Sequence, residues 1–464
     1  MTNKSTSKPY VKCIGGSATG VTQSCYLIYF QKYCLMFDCG LYQESDIVTN
    51  YRRNQELLKR IKPKEIDWII LHEVHVDHIG LIPALYKNGC NAHLYVPTGS
   101  FDFLKILWED SMKIFTSDAQ KIERKHGIKA NPFYNQADIE HALNRTIEVE
   151  SLEEYQVCDS ISFTYYPSNH IINAQQIHLD CVDGSIHHRL NFTGDIGGIL
   201  PQYFCHPRQT LPYANTCLME NTYNQPKRPN KRYDRIKDKE KIVSVLNESK
   251  RVLFPCFALN RTQTLLVELY LLWQDKSIPQ DIDIYVDSPL AQKFCELWPE
   301  DELWHKIKQW DNLHYVKEWA DSQALQLSHK PAVVLSASGF LVGGRVVSWL
   351  QTILPDRNAH ILFSGYSGEN NLASQIRSGQ PHVMVDGVEV ENNANITELV
   401  SFSSHASYEE LLSYAQEMRY DRIGLIHGDM RFKPVFATTL QTLLHKSGRS
   451  DKVICVNDNT KIFF

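Results

Sequence analysis

The sequence lacks the features that mark secreted and membrane-embedded proteins. Its twelve cysteines include no CxxC pair, and its first ten residues are polar, without the apolar stretch of a secretion signal. No apolar run reaches the roughly 18 to 20 residues that cross a bilayer. These absences argue against a disulfide framework and a membrane span, and they favour reduced thiols in a soluble, cytoplasmic protein.

The sequence also has no excess of positive charge. Lys and Arg number 48 against 53 Asp and Glu, which gives a formal net charge of -5. This balance excludes a protein that holds nucleic acid by bulk charge alone, although a local basic groove is compatible with it. No internal repeat is present, and 464 residues exceed the length at which one hydrophobic core stops growing. We therefore expect two or three domains.

Short apolar runs rich in β-forming residues dominate the first part of the chain, with one clear amphipathic helix at 101–125. The runs lie at residues 25–30, 32–37, 68–71, 93–96, 161–166, 176–181 and 187–192. After about residue 227, strands alternate with helices, which predicts an α/β unit with a largely parallel sheet. Its strands are predicted at residues 252–254, 282–286, 333–336 and 361–364, and the tail adds a helix at 408–418 and strands at 423–426 and 453–456.

A dense group of potential metal ligands directly follows the apolar run at 68–71. Its members are His72, Glu73, His75, Asp77 and His78. At a strand end, alternate side chains share a face, and a turn into a helix brings the next residue round to that face. An exposed polar turn is the other interpretation, but gathering so many charged and imidazole groups without a cation is costly. Further candidates stand at other predicted strand ends, namely Asp38, His170, Asp195 and His427.

In this order, the candidates resemble the motifs of metallo-β-lactamase-fold nucleases of the β-CASP group, which includes ribonuclease J and the pre-mRNA 3′-end endonuclease. Asp38 matches the first motif of that fold, residues 73–78 the HxHxDH motif, His170 the third motif and Asp195 the fourth. Later segments are similar to β-CASP motifs: Glu220-Asn221-Thr222-Tyr223 to E-S-T-Y, Phe402-Ser403-Ser404-His405-Ala406 to F-S-A-H, and Ile426-His427-Gly428-Asp429 to H-G-E. The resemblance covers nearly the whole chain.

The resemblance implies an α/β fold, a metallo-β-lactamase αββα sandwich with an inserted α/β β-CASP domain. We place the sandwich at residues 1–224 and 398–464 and the insertion at residues 225–397.

It also implies a centre of two divalent metal ions, Zn²⁺ or Mn²⁺, with iron as a further candidate. Glu73, His75 and His170 would hold one ion, and Asp77, His78 and His427 the other. Asp195 would bridge the two ions, and Asp38 would orient a ligand without binding metal itself.

One departure from the family pattern is large. The family places His where this chain has Glu73, and a small hydroxyl residue where it has His72. Glu73 could replace the histidine as an oxygen ligand and shift preference from Zn²⁺ towards Mn²⁺ or iron. Alternatively, His72 could turn inward through a local bulge. In the third interpretation, the first metal site is lost and catalysis is impaired.

A general acid is expected from His405, with Glu220 as the carboxylate that keeps its imidazolium charged and oriented. Residues Ser407 to Glu410 read as a capping box that starts the following helix. The other interpretation is that Glu220 and His405 cap local backbone groups. Arg261, Ser338 and Arg345 are candidate contacts to backbone phosphates, unless the arginines pair with acids instead.

The implied function is a metal-dependent RNA phosphodiesterase, a ribonuclease that uses a hydroxide activated by two metal ions. His427 favours RNA, most simply single-stranded RNA, because RNA-cleaving members of the family carry His in the terminal motif. The alternative is a catalytically weak or inactive β-CASP subunit that binds RNA or serves as a scaffold, because of Glu73. The sequence leaves open endonucleolytic or exonucleolytic action, and a homodimer or a protein partner.

Overall fold

The computed structural model describes residues 8–18, 20–199, 202–226, 231–248, 251–328, 330–339, 341, 343–365 and 371–464, without the side chains of 231–234. The chain forms two compact units. Unit 1 comprises Met1–Arg228 with Ser404–Phe464, and unit 2 comprises Pro229–Ser403. The domain boundaries predicted above lie a few residues before these divisions. Lys227 and Arg228, which follow the predicted boundary at residue 224, lie outside the described residues.

The first part of unit 1 contains eleven strands and five helices among its described residues. The strands are β1 (Tyr10–Cys13), β2 (Cys25–Phe30), β3 (Tyr33–Cys39), β4 (Trp68–Ile70), β5 (His93–Pro97), β6 (Thr146–Val149), β7 (Glu154–Cys158), β8 (Ile161–Pro167), β9 (Gln175–Asp183), β10 (Ile186–Phe192) and β11 (Ala214–Glu220). The helices are α1 (Ile47–Arg60), α2 (Val76–Ile79), α3 (Ile82–Lys87), α4 (Phe101–His126) and α5 (Gln136–Asn144).

Unit 2 alternates helices with strands. The helices are α6 (Lys231–Glu248), α7 (Arg261–Gln274), α8 (Pro289–Leu297), α9 (Glu302–Lys308), α10 (Trp319–Leu327), α11 (Arg345–Ile353) and α12 (Leu372–Arg377). The strands are β12 (Arg251–Pro255), β13 (Asp283–Val286), β14 (Leu313–Tyr315), β15 (Ala332–Ser336), β16 (Ala359–Phe363), β17 (His382–Val385), β18 (Val388–Glu391) and β19 (Asn395–Glu398).

The chain then returns to unit 1 with α13 (Tyr408–Glu417), β20 (Tyr420–Ile426), α14 (Lys433–Lys446), β21 (Lys452–Cys455) and β22 (Lys461–Phe463). The predicted capping box is present at the start of α13, where the Ser407 side chain accepts from the backbone of Glu410 and the Glu410 side chain accepts from the backbone of Ser407. This cap satisfies amide groups that the first helical turn leaves without partners.

Unit 1 is a sandwich of two seven-stranded sheets, in the orders β22-β1-β2-β3-β4-β5-β6 and β21-β20-β11-β10-β9-β8-β7. Apolar residues from both sheets, such as Phe37, Phe163 and Phe192, form one buried cluster between them. On the outer side of the second sheet, α13 and α14 pack through residues such as Leu411 and Phe436. The predicted sandwich fold is confirmed.

The main sheet of unit 2 has the order β14-β13-β15-β12-β16-β19, and all its neighbouring strands are parallel. Its central strand β12 is buried at every residue, as expected for a sheet covered on both faces. The predicted parallel α/β unit is therefore confirmed. Among the described residues, no helix is both long and apolar enough to cross a membrane.

Candidate metal centre

The residues singled out from the sequence lie at strand ends of unit 1. Strands β8, β10, β11 and β20 run in the same direction, so their carboxyl ends share one edge of the second sheet. This edge carries His170, Asp195, Glu220 and His427. In the facing sheet, Asp38 lies near the end of β3, and β4 leads into the loop and short helix α2 that carry residues 72–78.

A first group of donor atoms is formed by Glu73, His75 and His170, whose ligand atoms lie within 4.8 Å of one another. His75 Nδ1 is 2.9 Å from Glu73 Oε1, and His170 Nε2 is 3.7 Å from Glu73 Oε2. The Glu73 side chain is buried, so its carboxylate is turned into the group and away from solvent. The residue that departs from the family pattern thus lies among the donors.

A second group comprises Asp77, His78, Asp195 and His427, again within 4.8 Å. His78 Nε2 is 3.3 Å from both Asp77 Oδ2 and Asp195 Oδ2. His427 Nε2 is 3.6 Å from Asp77 Oδ2. Asp195 also lies 3.8 Å from His170 Nε2, so its carboxylate stands between the two groups.

The donor set fits divalent cations. Within the described part of the chain, four buried side-chain atoms of these residues form no hydrogen bond of good geometry: Glu73 Oε2, His78 Nε2, His170 Nδ1 and His427 Nε2. Buried polar atoms are normally hydrogen-bonded, and leaving them without a partner is costly. Imidazole and carboxylate donors suit zinc, manganese and iron. These residues are therefore suited to hold two cations.

The carboxylates and imidazoles of the centre shift one another's pKa values. Burial alone would raise the pKa of Asp77, but the adjacent His78 holds it well below its usual range. Burial would likewise lower the pKa of His78, but Asp77 and Asp195 hold it well above its usual range. His170 differs, because burial and the charge of His405 put its pKa well below the usual range. His170 is therefore neutral, the form in which imidazole binds a metal.

Asp38 supports the centre from behind. Its Oδ2 lies 3.0 Å from His78 Nδ1, and its Oδ1 lies 3.1 Å from His72 Nδ1. A carboxylate in this position fixes the tautomer and the orientation of a ligating histidine, so that His78 Nε2 is directed at the other donors. His72 lies with Asp38 and His78 in a further set of close donor atoms but in neither of the two groups above, and its Nε2 lies 3.2 Å from the backbone nitrogen of Asp195.

His405 and Glu220 lie beside the centre. His405 Nδ1 is 3.0 Å from Glu220 Oε1, and His405 Nε2 is 4.0 Å from Asp195 Oδ2. Burial would lower the pKa of His405, but Glu220 and Asp195 raise it to about 9. Glu220 is itself fixed by backbone N–H groups of Ile196 and Thr222. The pair therefore keeps a proton on His405 near neutral pH.

His427 is held from both sides of its chain. Its backbone N–H donates to the carbonyl of Ser17 at 2.6 Å, and its Nδ1 lies 2.9 Å from the hydroxyl of Thr222. Its φ is +46°, in the left-handed region that non-glycine residues seldom adopt. Such a conformation persists where the surrounding contacts determine it, and here it turns the imidazole into the second donor group.

The candidate phosphate contacts lie in unit 2. The Arg345 guanidinium donates to Asp287 Oδ1 at 2.7 Å and to the carbonyls of Val316 and Lys317. The guanidinium of Arg261 donates to the carbonyl of Ser364. Arg345 thus makes the ion pair with an acid that was the other interpretation, whereas Arg261 contacts a backbone carbonyl. Ser338 is half-buried.

Two contacts within unit 1 are absent from the sequence analysis. Thr222 lies within the segment similar to E-S-T-Y, and its hydroxyl is the side-chain partner of His427 Nδ1. Lys433 is fully buried, and its ammonium donates to the carbonyl of Ala18 at 2.7 Å. A lysine among apolar positions at the start of a helix was a signal for the second residue. No local pattern indicated the first.

Three protein-family models match the chain, in an order that places one domain inside another. The metallo-beta-lactamase superfamily model matches residues 18–146, the Beta-Casp domain model residues 262–376, and the model of the Zn-dependent metallo-hydrolase RNA specificity domain residues 389–452. The chain belongs to the β-CASP group of the metallo-β-lactamase superfamily. The resemblance drawn from its motifs is confirmed.

Bacterial and archaeal proteins are similar to this β-CASP chain. "Ribonuclease TTHA0252" of Thermus thermophilus is 28% identical over 427 residues, covering 89% of this chain and 92% of the relative. "RNase J-like protein" of Methanocaldococcus jannaschii is 23% identical over 397 residues, covering 84% and 85%. "Transcription termination factor FttA" of Pyrococcus abyssi is 26% identical over 410 residues. The alignment covers 83% of this chain but only 60% of that relative.

A solved structure shares the fold. A protein of unknown function from Enterococcus faecalis V583 aligns with 99% of this β-CASP chain and with all of its own, at a TM-score of 0.56 and 13% identity. At that identity, the likeness concerns the fold alone.

Proposed function

We propose that this chain is a metal-dependent ribonuclease. The observation that carries the proposal is the presence, in one unit, of two adjoining groups of metal-donor atoms with a histidine–carboxylate pair beside them. Two relatives that align along most of their length bear the names ribonuclease and RNase J-like protein. A family model for an RNA specificity domain also matches residues 389–452.

Each donor group would hold one cation. Glu73, His75 and His170 would bind the first ion, and the second group would bind the other through Asp77, His78 and His427, with Asp195 shared between them. Bound cations would acidify a water molecule and neutralise the charge that grows on a phosphodiester during cleavage. The carboxylate of Glu73 adds a hard oxygen donor, so we propose a preference for Mn²⁺ or iron over Zn²⁺.

His405 would supply the proton for the leaving oxygen. Its Nδ1 is engaged by Glu220, which leaves Nε2 as the ring nitrogen on the side of Asp195 and the donor groups. Because Glu220 is fixed by two backbone N–H groups, the imidazole has one supported orientation. The proton at Nε2 would pass to the oxygen atom that the cleaved phosphodiester releases.

The purified full chain, freed of metal and then titrated with Mn²⁺ or Zn²⁺, tests the proposal on end-labelled single-stranded RNA. We expect about two ions bound per chain and metal-dependent cleavage. His75→Ala and Asp77→Asn should each abolish cleavage, because each removes a donor from a different group. His178→Asn, a substitution elsewhere in unit 1, is the matched control.

A chain that binds less than one ion and leaves RNA intact at every metal concentration would contradict the proposal. It would favour a scaffold or RNA-binding subunit instead. Cleavage that resists both substitutions would also contradict it, because the activity would then come from another source.

A further inference from the structure

His72 is a buried histidine whose two ring nitrogens are both used within unit 1. It stands immediately before Glu73, where the family carries a small hydroxyl residue, and its side chain is fully inaccessible to solvent. Its Nδ1 lies 3.1 Å from Asp38 Oδ1 and 2.8 Å from Asp38 Oδ2. Its Nε2 lies 3.2 Å from the backbone nitrogen of Asp195.

We propose that His72 is a positioning residue that ties Asp38 to the backbone of Asp195 and thereby sets the geometry of the second donor group. The part of this inference that concerns metal rests on the proposed function. It assigns a role to a residue that belongs to neither donor group.

The hydrogen bonds fix the protonation state of His72. A backbone N–H can only donate, so His72 Nε2 must accept with its lone pair. The hydrogen of the neutral ring then sits on Nδ1 and is donated to the carboxylate of Asp38. With its lone pair engaged by Asp195, His72 has none left for a cation. In this arrangement His72 supports the ligands and does not replace the missing one.

The contacts form a continuous chain from one ligand to another. The Asp195 N–H donates to His72, His72 donates to Asp38, and Asp38 also accepts from His78 Nδ1 at 3.0 Å. Asp195 and His78 are both members of the second donor group, and their Oδ2 and Nε2 lie 3.3 Å apart. A substitution of His72 would therefore alter the positions of Asp195 and His78, although His72 belongs to neither donor group.

The ring of His72 is closely packed on several sides. Its ring lies edge-on to His78 at 4.4 Å and to Phe192 at 5.3 Å between centroids. Gly194 has φ +53°, and a Cβ at this glycine would lie 2.0 Å from His72 Cδ2. The bulky imidazole and the glycine before Asp195 therefore fit only together. The two adjacent residues therefore differ in role. His72 positions other residues by hydrogen bonds, and Glu73 offers its carboxylate to the first donor group.

Two near-isosteric substitutions separate the two hydrogen bonds. His72→Asn retains an N–H group near the position of Nδ1, for Asp38, but loses the acceptor for the Asp195 N–H. His72→Gln retains an oxygen near the position of Nε2, for the Asp195 N–H, but loses the donor to Asp38. His72→Ala loses both, and His178→Asn, at another histidine of unit 1 that pairs through Nδ1, is the matched control.

The decisive measurement is the affinity of the metal-free full chain for Mn²⁺ and Zn²⁺ by competition with a chromophoric chelator. Thermal unfolding of each metal-free variant is measured alongside. We expect affinity for one of the two ions to fall roughly tenfold in the Asn and Gln variants and up to a hundredfold in His72→Ala. The control should match the wild-type chain. An affinity within twofold of wild type in folded His72→Ala, or in both near-isosteric variants, would overturn the inference.

A second readout needs no metal. In ¹⁵N-histidine-labelled protein, the signal lost on His72→Asn should show the neutral Nδ1–H tautomer. A signal of the Nε2–H tautomer or of a charged ring would overturn the inference. If the wild-type chain binds two ions and does not cleave RNA, the proposed function fails and the role of His72 stands. If it binds none, both fail.

Discussion

His405 Nδ1 and Glu220 Oε1 lie 3.0 Å apart, although the two residues are 185 positions apart in the chain. The same carboxylate oxygen accepts from the backbone N–H of Ile196, the residue after Asp195. The Glu220 carboxylate therefore contacts both His405 and the residue that follows Asp195.

Replacing Glu220 by Gln removes the charge that keeps a proton on His405. We expect kcat for RNA cleavage to fall about a hundredfold, with KM and the number of bound ions nearly unchanged. Steady-state kinetics with metal analysis measure all three. Glu268→Gln, which removes a buried carboxylate paired with Arg235 and Lys239 in unit 2, is the matched control. An equal loss in both variants would show that Glu220 acts through stability alone.

Replacing Glu73 by His should restore the family pattern and soften the first donor group. We expect the ratio of Zn²⁺ to Mn²⁺ affinity to rise about tenfold or more, with cleavage largely retained. Competition titrations of both metals on the same preparation give this ratio. A jump from no cleavage to robust turnover would instead show that the natural chain is impaired.

Removal of metal should destabilise unit 1. A ligand that binds only the folded state, at a hundred times its Kd, adds about 2.7 kcal/mol to the free energy of unfolding. We therefore expect a chelator to lower the melting temperature, and added Mn²⁺ to restore it in a concentration-dependent way. His75→Ala should show a smaller shift, because one donor group is incomplete. Equal shifts in both proteins would count against binding at this group.

Lys433 gives stability a pH dependence of definite sign. Burial lowers its pKa from an ordinary 10.5 to about 8, so between these values the unfolded chain holds a proton that the folded chain has released. The penalty for a buried charge is complete below pH 8 and is relieved as the pH rises, so stability rises with pH. Relative to Lys433→Met, the wild-type free energy of unfolding should gain roughly 3 kcal/mol across this window.

Urea titrations of both proteins at several pH values measure that difference. Lys62→Met, at a lysine whose side chain is 73% exposed, is the matched control. A difference between wild type and Lys433→Met that stays constant from pH 8 to 10.5 would show that the ammonium does not titrate in the fold.

Asp287 holds a buried network in unit 2. Its carboxylate accepts from Arg345, from the hydroxyl of Ser322 at 2.5 Å and from the indole of Trp349 at 2.7 Å. Asp287→Asn would leave the Arg345 charge without its carboxylate partner. We therefore expect the free energy of unfolding of unit 2 to fall by about 3 kcal/mol. Lys62→Ala, which breaks an exposed ion pair with Glu65, should change stability by less than about 1 kcal/mol. Urea unfolding followed by tryptophan fluorescence compares the two.

Much of this fold could be predicted from the sequence, because the buried strands are short and uninterrupted. The strand predicted at residues 25–30 is β2 (Cys25–Phe30), and the helix predicted at 101–125 is α4 (Phe101–His126). The sequence analysis predicts no strand at β11, although that strand is largely buried. It also predicts none at the half-exposed β17 and β18, whose alternating pattern carries little apolar signal.

The site residues that lie in local motifs could be proposed from the sequence, but their hydrogen-bond partners elsewhere in the chain could not. The cluster at 72–78 is dense enough to stand out, and the structure brings its members together with His170, Asp195 and His427. The partners of those members are separated by long stretches of chain. Thr222 and His427 are 205 positions apart, and the bond from His72 to the backbone of Asp195 spans 123. No periodicity encodes such pairs.

The order of the residues along the chain determines the order in which the two donor groups are synthesised. Glu73, His75 and His170 all precede unit 2, whereas His427 and the strands β20, β21 and β22 follow it. A growing polypeptide on the ribosome therefore carries an unfinished second group until the whole insertion has been synthesised. A fragment of the chain that stops within unit 2 would therefore contain every residue of the first donor group but would lack His427 of the second.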